Sequence, residues 1–356
     1  MSIIGYQDLT GGFDQFFKGN AQSYINSIQQ VSITIASGST SNTATITGVG
    51  SNAFIIYQGQ TTSQTSTNNS QTALVQLTNS TTVTATRNAS NSDTVTINAV
   101  VIDPASSLVS GVRQGTISIT STSMSNTATI SSVTTSRSAV FFLGSYSSVS
   151  NPTSFQCGVT LTNSTTVTAF RNSGDSGTSV VGYVVVEFSS GVIQSNQQFS
   201  SADTAASTTT TQTISSVNTS NSLIAYGGFT GGSGNISLLN TYLTLSNSTT
   251  VTITKYSANA TTRTTYYAVL EFVSGVLANA QRGSISVSSA TSNTATISSA
   301  ATNKSFANYV GASFTGTTPD QSESRLTQTN TTTLTANKNT AGTTTSVVGY
   351  EVPTFN

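Results

Sequence analysis

The chain has 356 residues, carries 11 basic against 11 acidic side chains, and is only 6% charged, where soluble proteins average roughly 25%. So balanced and so sparse a charge set gives no electrostatic footprint for nucleic acid or an anionic membrane. With no histidine and one cysteine, Cys157, intrachain disulfides and multi-cysteine metal sites are excluded, and the commonest general base is missing; no metal and no cofactor is expected.

Residues 1–30 stand apart. Apolar and aromatic weight gathers at Ile3, Ile4, Tyr6, Leu9, Phe13, Phe16 and Phe17, and residues 20–30 place Tyr24, Ile25 and Ile28 at helical spacing. The segment has no basic stretch followed by an apolar run, so it is not a secretory signal, and no stretch approaches the ~18 apolar residues of a membrane span. We expect a leader with a short helix. Phe13, Phe16, Phe17 and Tyr24 then form either an anchor that packs into a partner or a patch folded back on the first repeat.

From there the chain repeats itself. Residues 161–172 (LTNSTTVTAFRN) recur as LTNSTTVTATRN from Leu77 and LSNSTTVTITKY from Leu245, with a looser copy from Thr329. A second marker falls at Ile46, Ile130, Ile214 and Ile297, in steps of 84, 84 and 83. The expected division is a leader, 1–30, and four β repeats at 31–114, 115–198, 199–282 and 283–356. In the second repeat, β-branched alternation marks six strands near 116–120, 126–131, 139–146, 157–162, 165–171 and 179–188. The fold class is therefore all-β, with four tandem immunoglobulin-like β-sandwich repeats of about 84 residues.

The pair Asn163-Ser164, repeated at Asn79-Ser80 and Asn247-Ser248, reads as a tight hairpin in which asparagine tolerates positive φ, and it is what would hold the motif constant. If the strands run as a meander, the loops after the first, third and fifth share one end. The loops at 147–155 and 231–239 correspond, as do 173–178 and 257–262, with length kept and side chains changed; a ligand contact belongs at that end. Segments such as 189–198 (SSGVIQSNQQ) read as linkers between repeats. The four domains either form a string or pack around one another.

One charge pattern recurs in register. A basic residue ends the fifth strand at Arg87, Arg171, Lys255 and Lys338, and an acid lies on the sixth at Asp103, Glu187 and Glu271, with Thr354 last. We expect cross-strand ion pairs, Arg87 with Asp103, Arg171 with Glu187 and Lys255 with Glu271, that help to set strand register. No catalytic set emerges: Asp175, Asp203 and Asp320 read as solvated turn residues, and Gly231, Gly232 and Gly234 do not match a phosphate-binding loop. Sugar stacking would fall to Tyr146, Tyr226 or Phe229, for which packing is the simpler role.

The strand-hairpin-strand unit LTNSTTVTAFRN, followed by VVGYVVVEF, resembles β-sandwich repeats of bacteriophage virion proteins such as tail fibres and capsid fibres or decoration proteins. The resemblance covers about residues 31–356 and implies a non-enzymatic structural or adhesive protein at the virion surface; with no secretory signal, assembly is expected in the host cytoplasm. The resemblance further implies attachment to other virion proteins through the N-terminal segment and a homotrimer. The alternative is a receptor- or glycan-binding adhesin that uses the variable loops; a depolymerase is disfavoured by the missing histidine.

Overall fold

The computed structural model describes residues 23–203, 206–238, 240–258 and 261–356. The first repeat supplies β1 (Ile25–Ile35), β2 (Ser41–Thr45), β3 (Phe54–Thr62), β4 (Ala73–Asn79), β5 (Thr82–Arg87) and β6 (Val95–Pro104). The second supplies β7 (Val109–Ile119), β8 (Ser125–Thr129), β9 (Ser138–Ser147), β10 (Gly158–Asn163), β11 (Thr166–Phe170) and β12 (Ser179–Phe188), with a single helical turn, α1 (Pro152–Phe155), before β10. The third supplies β13 (Ile193–Asp203), β14 (Thr209–Thr213), β15 (Ser222–Gly231), β16 (Thr241–Asn247), β17 (Thr250–Lys255) and β18 (Arg263–Phe272). The fourth supplies β19 (Leu277–Val287), β20 (Ser292–Thr296), β21 (Asn308–Phe314), β22 (Ser324–Asn330), β23 (Thr333–Lys338) and β24 (Ser346–Phe355), with the turn α2 (Pro319–Ser322) before β22.

The alternation that marks the strands also sorts their side chains. In β5 the threonines point outward while Val83, Ala85 and Arg87 are buried. The β4–β5 hairpin is set by Asn79, whose Oδ1 accepts the backbone N–H of Thr81 at 2.9 Å and also its hydroxyl. Asn163, Asn247 and Asn330 do the same for Thr165, Thr249 and Thr332. The hairpin thus explains the constant motif, but through a side-chain-to-backbone turn. Asparagine does not adopt positive φ here: among the described residues Ser121 alone does so apart from glycine.

The strands do not run as a meander. Within a repeat the pairing is first-sixth-third on one side and second-fifth-fourth on the other, all antiparallel. Each of the four six-stranded sheets then joins three strands of one repeat to three of its neighbour: β2-β5-β4-β9-β12-β7, β13-β18-β15-β10-β11-β8, β14-β17-β16-β21-β24-β19, and β1-β6-β3-β22-β23-β20. The last of these unites the first repeat with the fourth. The four sheets therefore close into a propeller-like ring, and the repeats pack around one another instead of forming a string.

Four glycines make the joints. Gly59, Gly144, Gly228 and Gly311 sit in the third strands at φ +88°, +92°, +83° and +101°, opposite Arg325, Leu74, Gly158 and Tyr242. A Cβ there would come within 3.0 Å of the carbonyl oxygen of Ser324, Ala73, Cys157 or Thr241, so only glycine lets the two backbones meet. The third strand bulges at each joint, as between Tyr57 and Gln60.

Two expectations are corrected along the chain. Residues 25–30 are not helical but form the start of β1, paired with β6 from Pro104 onward. The supposed linkers are likewise the first halves of β13 and β19. First strands begin at Ile25, Val109, Ile193 and Leu277, so they cross the boundaries drawn from the sequence. These segments are polar because they lie at a sheet edge with little to bury, and partner backbone rather than apolar alternation holds them extended.

The second repeat buries its own core, with Ile117, Ile119, Val140, Val159, Leu161, Val167, Val181 and Val185 between its two three-stranded halves. The first repeat's core continues into a shared centre where Phe188, Phe272 and Phe355, from three sixth strands, meet edge to face at 5.3 and 6.1 Å.

Candidate functional site on the ring axis

The predicted basic and acidic residues do not meet. A ten-residue sixth strand at about 3.4 Å per residue carries its last residues roughly 30 Å from its first, which puts the two charges at opposite ends of the domain. Arg87 is 1% exposed and donates from Nε to Ser39 O at 2.9 Å, from Nη1 to Asp93 O at 3.0 Å and Asn91 Oδ1 at 3.2 Å, and from Nη2 to Ala36 O at 3.1 Å. Arg171 likewise reaches Ser123 O, Gly177 O and Asp175. Lys255 pairs with Asp203 at 2.9 Å, and Lys338 donates to Thr344 O and Ser288 O. The basic residue thus ties together the loops after the first and fifth strands.

The acids serve the other end. Asp103, Glu187 and Glu271 accept the backbone N–H of Gly50, Thr134 and Asn218 at 3.2, 3.1 and 2.7 Å. Glu187 also binds Arg113 and Arg137 at 3.2 and 2.7 Å. Asp203 and Asp320 are not solvated turn residues: Asp203 is 2% and Asp320 4% exposed, and Asp203 also holds Arg263 at 3.3 Å; Asp175 stays half-exposed in its loop, paired with Arg171. Of the candidate anchor, Phe13, Phe16 and Phe17 lie outside the described residues. Tyr24 packs half-buried against the core of the first repeat.

On the ring axis the third strands bring four aromatic rings together. Each lies two residues before a joint glycine: Tyr57, Phe142, Tyr226 and Tyr309. Tyr57 meets Phe142 at 5.9 Å and Tyr309 at 5.6 Å, and Tyr226 meets Phe142 at 6.4 Å and Tyr309 at 5.9 Å, all edge to face. The four close a ring of rings, the arrangement that aromatic quadrupoles favour. Tyr226 is therefore a packing residue, not an exposed sugar platform.

The tetrad lines a cavity of about 90 Å³ that extends toward the third-strand loops and is also walled by Phe155, Phe229, Ile236 and Phe314. The residues just before the fourth strands, Thr72, Gln156, Asn240 and Glu323, line it too. Glu323 accepts Gln60 Nε2 at 3.0 Å and Gln71 Nε2 at 3.2 Å. Burial pushes its carboxyl up to about 8, against the opposing pull of those two hydrogen bonds. Burial raises the phenols of Tyr57 and Tyr309 as well, with the nearby Glu323 charge adding to it. Cys157, at the cavity wall, is pushed up to about 12 by burial.

Sequence reasoning missed the axis. The aromatic-x-glycine triplets at 57–59, 142–144, 226–228 and 309–311 recur at near-84 steps and were a usable signal. No group of three or more His, Cys, Asp or Glu side chains among the described residues could hold a metal ion, and no helix is long and apolar enough to cross a membrane.

No protein-family model and no curated protein sequence matches the chain. Among solved structures, a chain from the atomic structure of Sulfolobus turreted icosahedral virus aligns at 10% identity over 70% of this chain and 91% of its own, with a TM-score of 0.19. A chain from a description of the triple jelly roll fold and turret assembly in an archaeal virus aligns at 11% identity over 94% and 91%, also with a TM-score of 0.19. At that score neither alignment informs fold or function.

Proposed function

We propose that the chain is a non-enzymatic structural protein of a virion, a fibre or decoration component whose four-repeat ring is presented at the particle surface. The observation that carries this reading is the way ring closure consumes the repeats' pairing edges: every third and fourth strand finds its neighbour inside the chain. The ring is thus a self-contained block with a charge-poor exterior. Its remaining sheet edges are bridged by side chains. Asn42, Asn126 and Asn293 donate to Thr34 O, Ser118 O and Ser286 O, and Gln29 exchanges two hydrogen bonds with Thr47. Edges closed in this way resist strand addition, which leaves the polar faces and residues 1–22 as the means of contact with other virion proteins or with further copies.

Immunogold labelling with an antibody raised against the folded ring tests the reading on lysates of the source culture. Gold on particles of uniform shape, with the chain present in gradient-purified particles, is the expected result. Gold confined to cell envelopes, with no chain in the particles, would overturn it in favour of an adhesin.

A further inference from the structure

We propose that the axial cavity is a binding site for a small organic ammonium ion, with the cationic head on the Glu323 carboxylate and a short apolar tail among Phe155, Ile236 and Phe314. At the four equivalent positions the chain places Thr72, Gln156, Asn240 and Glu323. A carboxylate in one repeat only is not needed for a scaffold that the other three complete without one.

The carboxylate lacks a cation. Among the described residues no lysine or arginine nitrogen lies within 4.0 Å of it. Its two contacts are neutral amides with fixed orientation. Gln60 Oε1 accepts the N–H of Ala73 at 3.0 Å and Gln71 Oε1 that of Asn68 at 2.9 Å, so both side chains can only present N–H to Glu323. The ionised form is hydrogen-bonded but has no counter-ion, so partial burial favours the neutral acid and a cation entering the cavity favours the carboxylate.

The same cavity holds two further orphans. Thr72 Oγ1 and Gln156 Oε1 are buried with no hydrogen-bond partner, and Thr72 is 8% exposed. A primary ammonium has three N–H donors and no acceptor, and the cavity lining carries oxygen acceptors at Glu323, Thr72 and Gln156. A hard divalent ion fits badly, because it seeks six or more oxygen ligands, with carboxylates foremost, and Glu323 supplies the one carboxylate among the residues lining the cavity. The volume of about 90 Å³ exceeds the ~10–15 Å³ that one water needs by the same kind of measure, leaving room for a few carbons beside the head group.

The test uses the full chain and n-butylammonium as the probe, followed by calorimetry and by tyrosine fluorescence, which the absence of tryptophan leaves unmasked. At about pH 9 the probe is still protonated and Glu323 is ionised. Saturable binding is expected, weakened at least tenfold in Glu323→Gln and to a lesser degree in Thr72→Val, with n-butanol failing to compete. Circular dichroism on both variants establishes that the ring is intact. The proposal is overturned if folded Glu323→Gln binds as well as the parent chain, if n-butanol binds equally, if potassium or sodium displaces the probe at equal concentration, or if the parent chain does not bind.

Discussion

Gly59 in the first repeat lies opposite Arg325 in the fourth, and that backbone pairing joins the two ends of the chain into a ring. At φ +88°, with the Ser324 carbonyl in the space a Cβ would fill, no other residue fits there. The three remaining joints repeat the geometry at Gly144, Gly228 and Gly311.

Gly59→Ala is accordingly expected to destabilise the ring by about 3 kcal/mol or more, since left-handed strain of about 1–2 kcal/mol adds to a backbone collision. Gly38, at φ +76° with nothing within 4 Å of its Cβ position, is the control. Gly38→Ala should show the strain alone, about 1 kcal/mol. Urea unfolding of both variants measures the difference, and equal losses would contradict the joint.

Arg171→Ala should cost about 3 kcal/mol, because it removes a fully buried side chain, leaves the buried carbonyl of Gly177 without a donor and breaks the pair with Asp175. Arg171→Lys should recover part of this, since Lys338 serves two carbonyls from the equivalent position in the fourth repeat. Proteolysis at the loop of residues 173–178 provides a local readout: cleavage there should rise in the alanine variant before global unfolding does.

Stability should depend on pH through Glu323. Its folded-state carboxyl is raised from 4.5 to about 8, so the folded chain holds the proton more tightly than the unfolded one. The contribution is fully present below about 4.5 and is lost as the pH rises through about 8. Its upper bound is about 5 kcal/mol at ~1.4 kcal/mol per unit, and water in the cavity reduces it. Thermal melts across this window should fall for the parent chain and run flatter for Glu323→Gln. Parallel curves would exclude Glu323 as the source.

Cys157 should resist thiol reagents in the folded ring. It is 2% exposed, burial pushes its thiol up to about 12, and the reactive species is the thiolate. Labelling by an aromatic disulfide at neutral pH is expected to be slow without denaturant and fast with it. Rapid labelling of the native chain would show that the cavity wall opens.

Much of the architecture is written locally. The 84-residue step, six strands per repeat and the Asn79-type hairpins follow from alternation and from contacts two residues apart, which any reader of the sequence can see. The regular charges were visible too, but their partners were not. Arg87 and Asp103 look like a pair along the chain, yet the sixth strand carries the acid to the far end, where it caps the N–H of Gly50. Polar residues 25–30 and 193–198 gave no alternation because their extended form is imposed by a neighbouring strand.

The sequence by itself determined what each repeat is: an all-β unit, repeated four times, poor in charge and without histidine. The tertiary structure alone decided how the repeats combine. Sheet sharing uses backbone atoms that every residue carries, so its trace in the sequence is the absence of a side chain at four glycines. The axial cavity arises only where four third strands converge, and it is there that the single carboxylate of Glu323 becomes distinct from its three neutral counterparts.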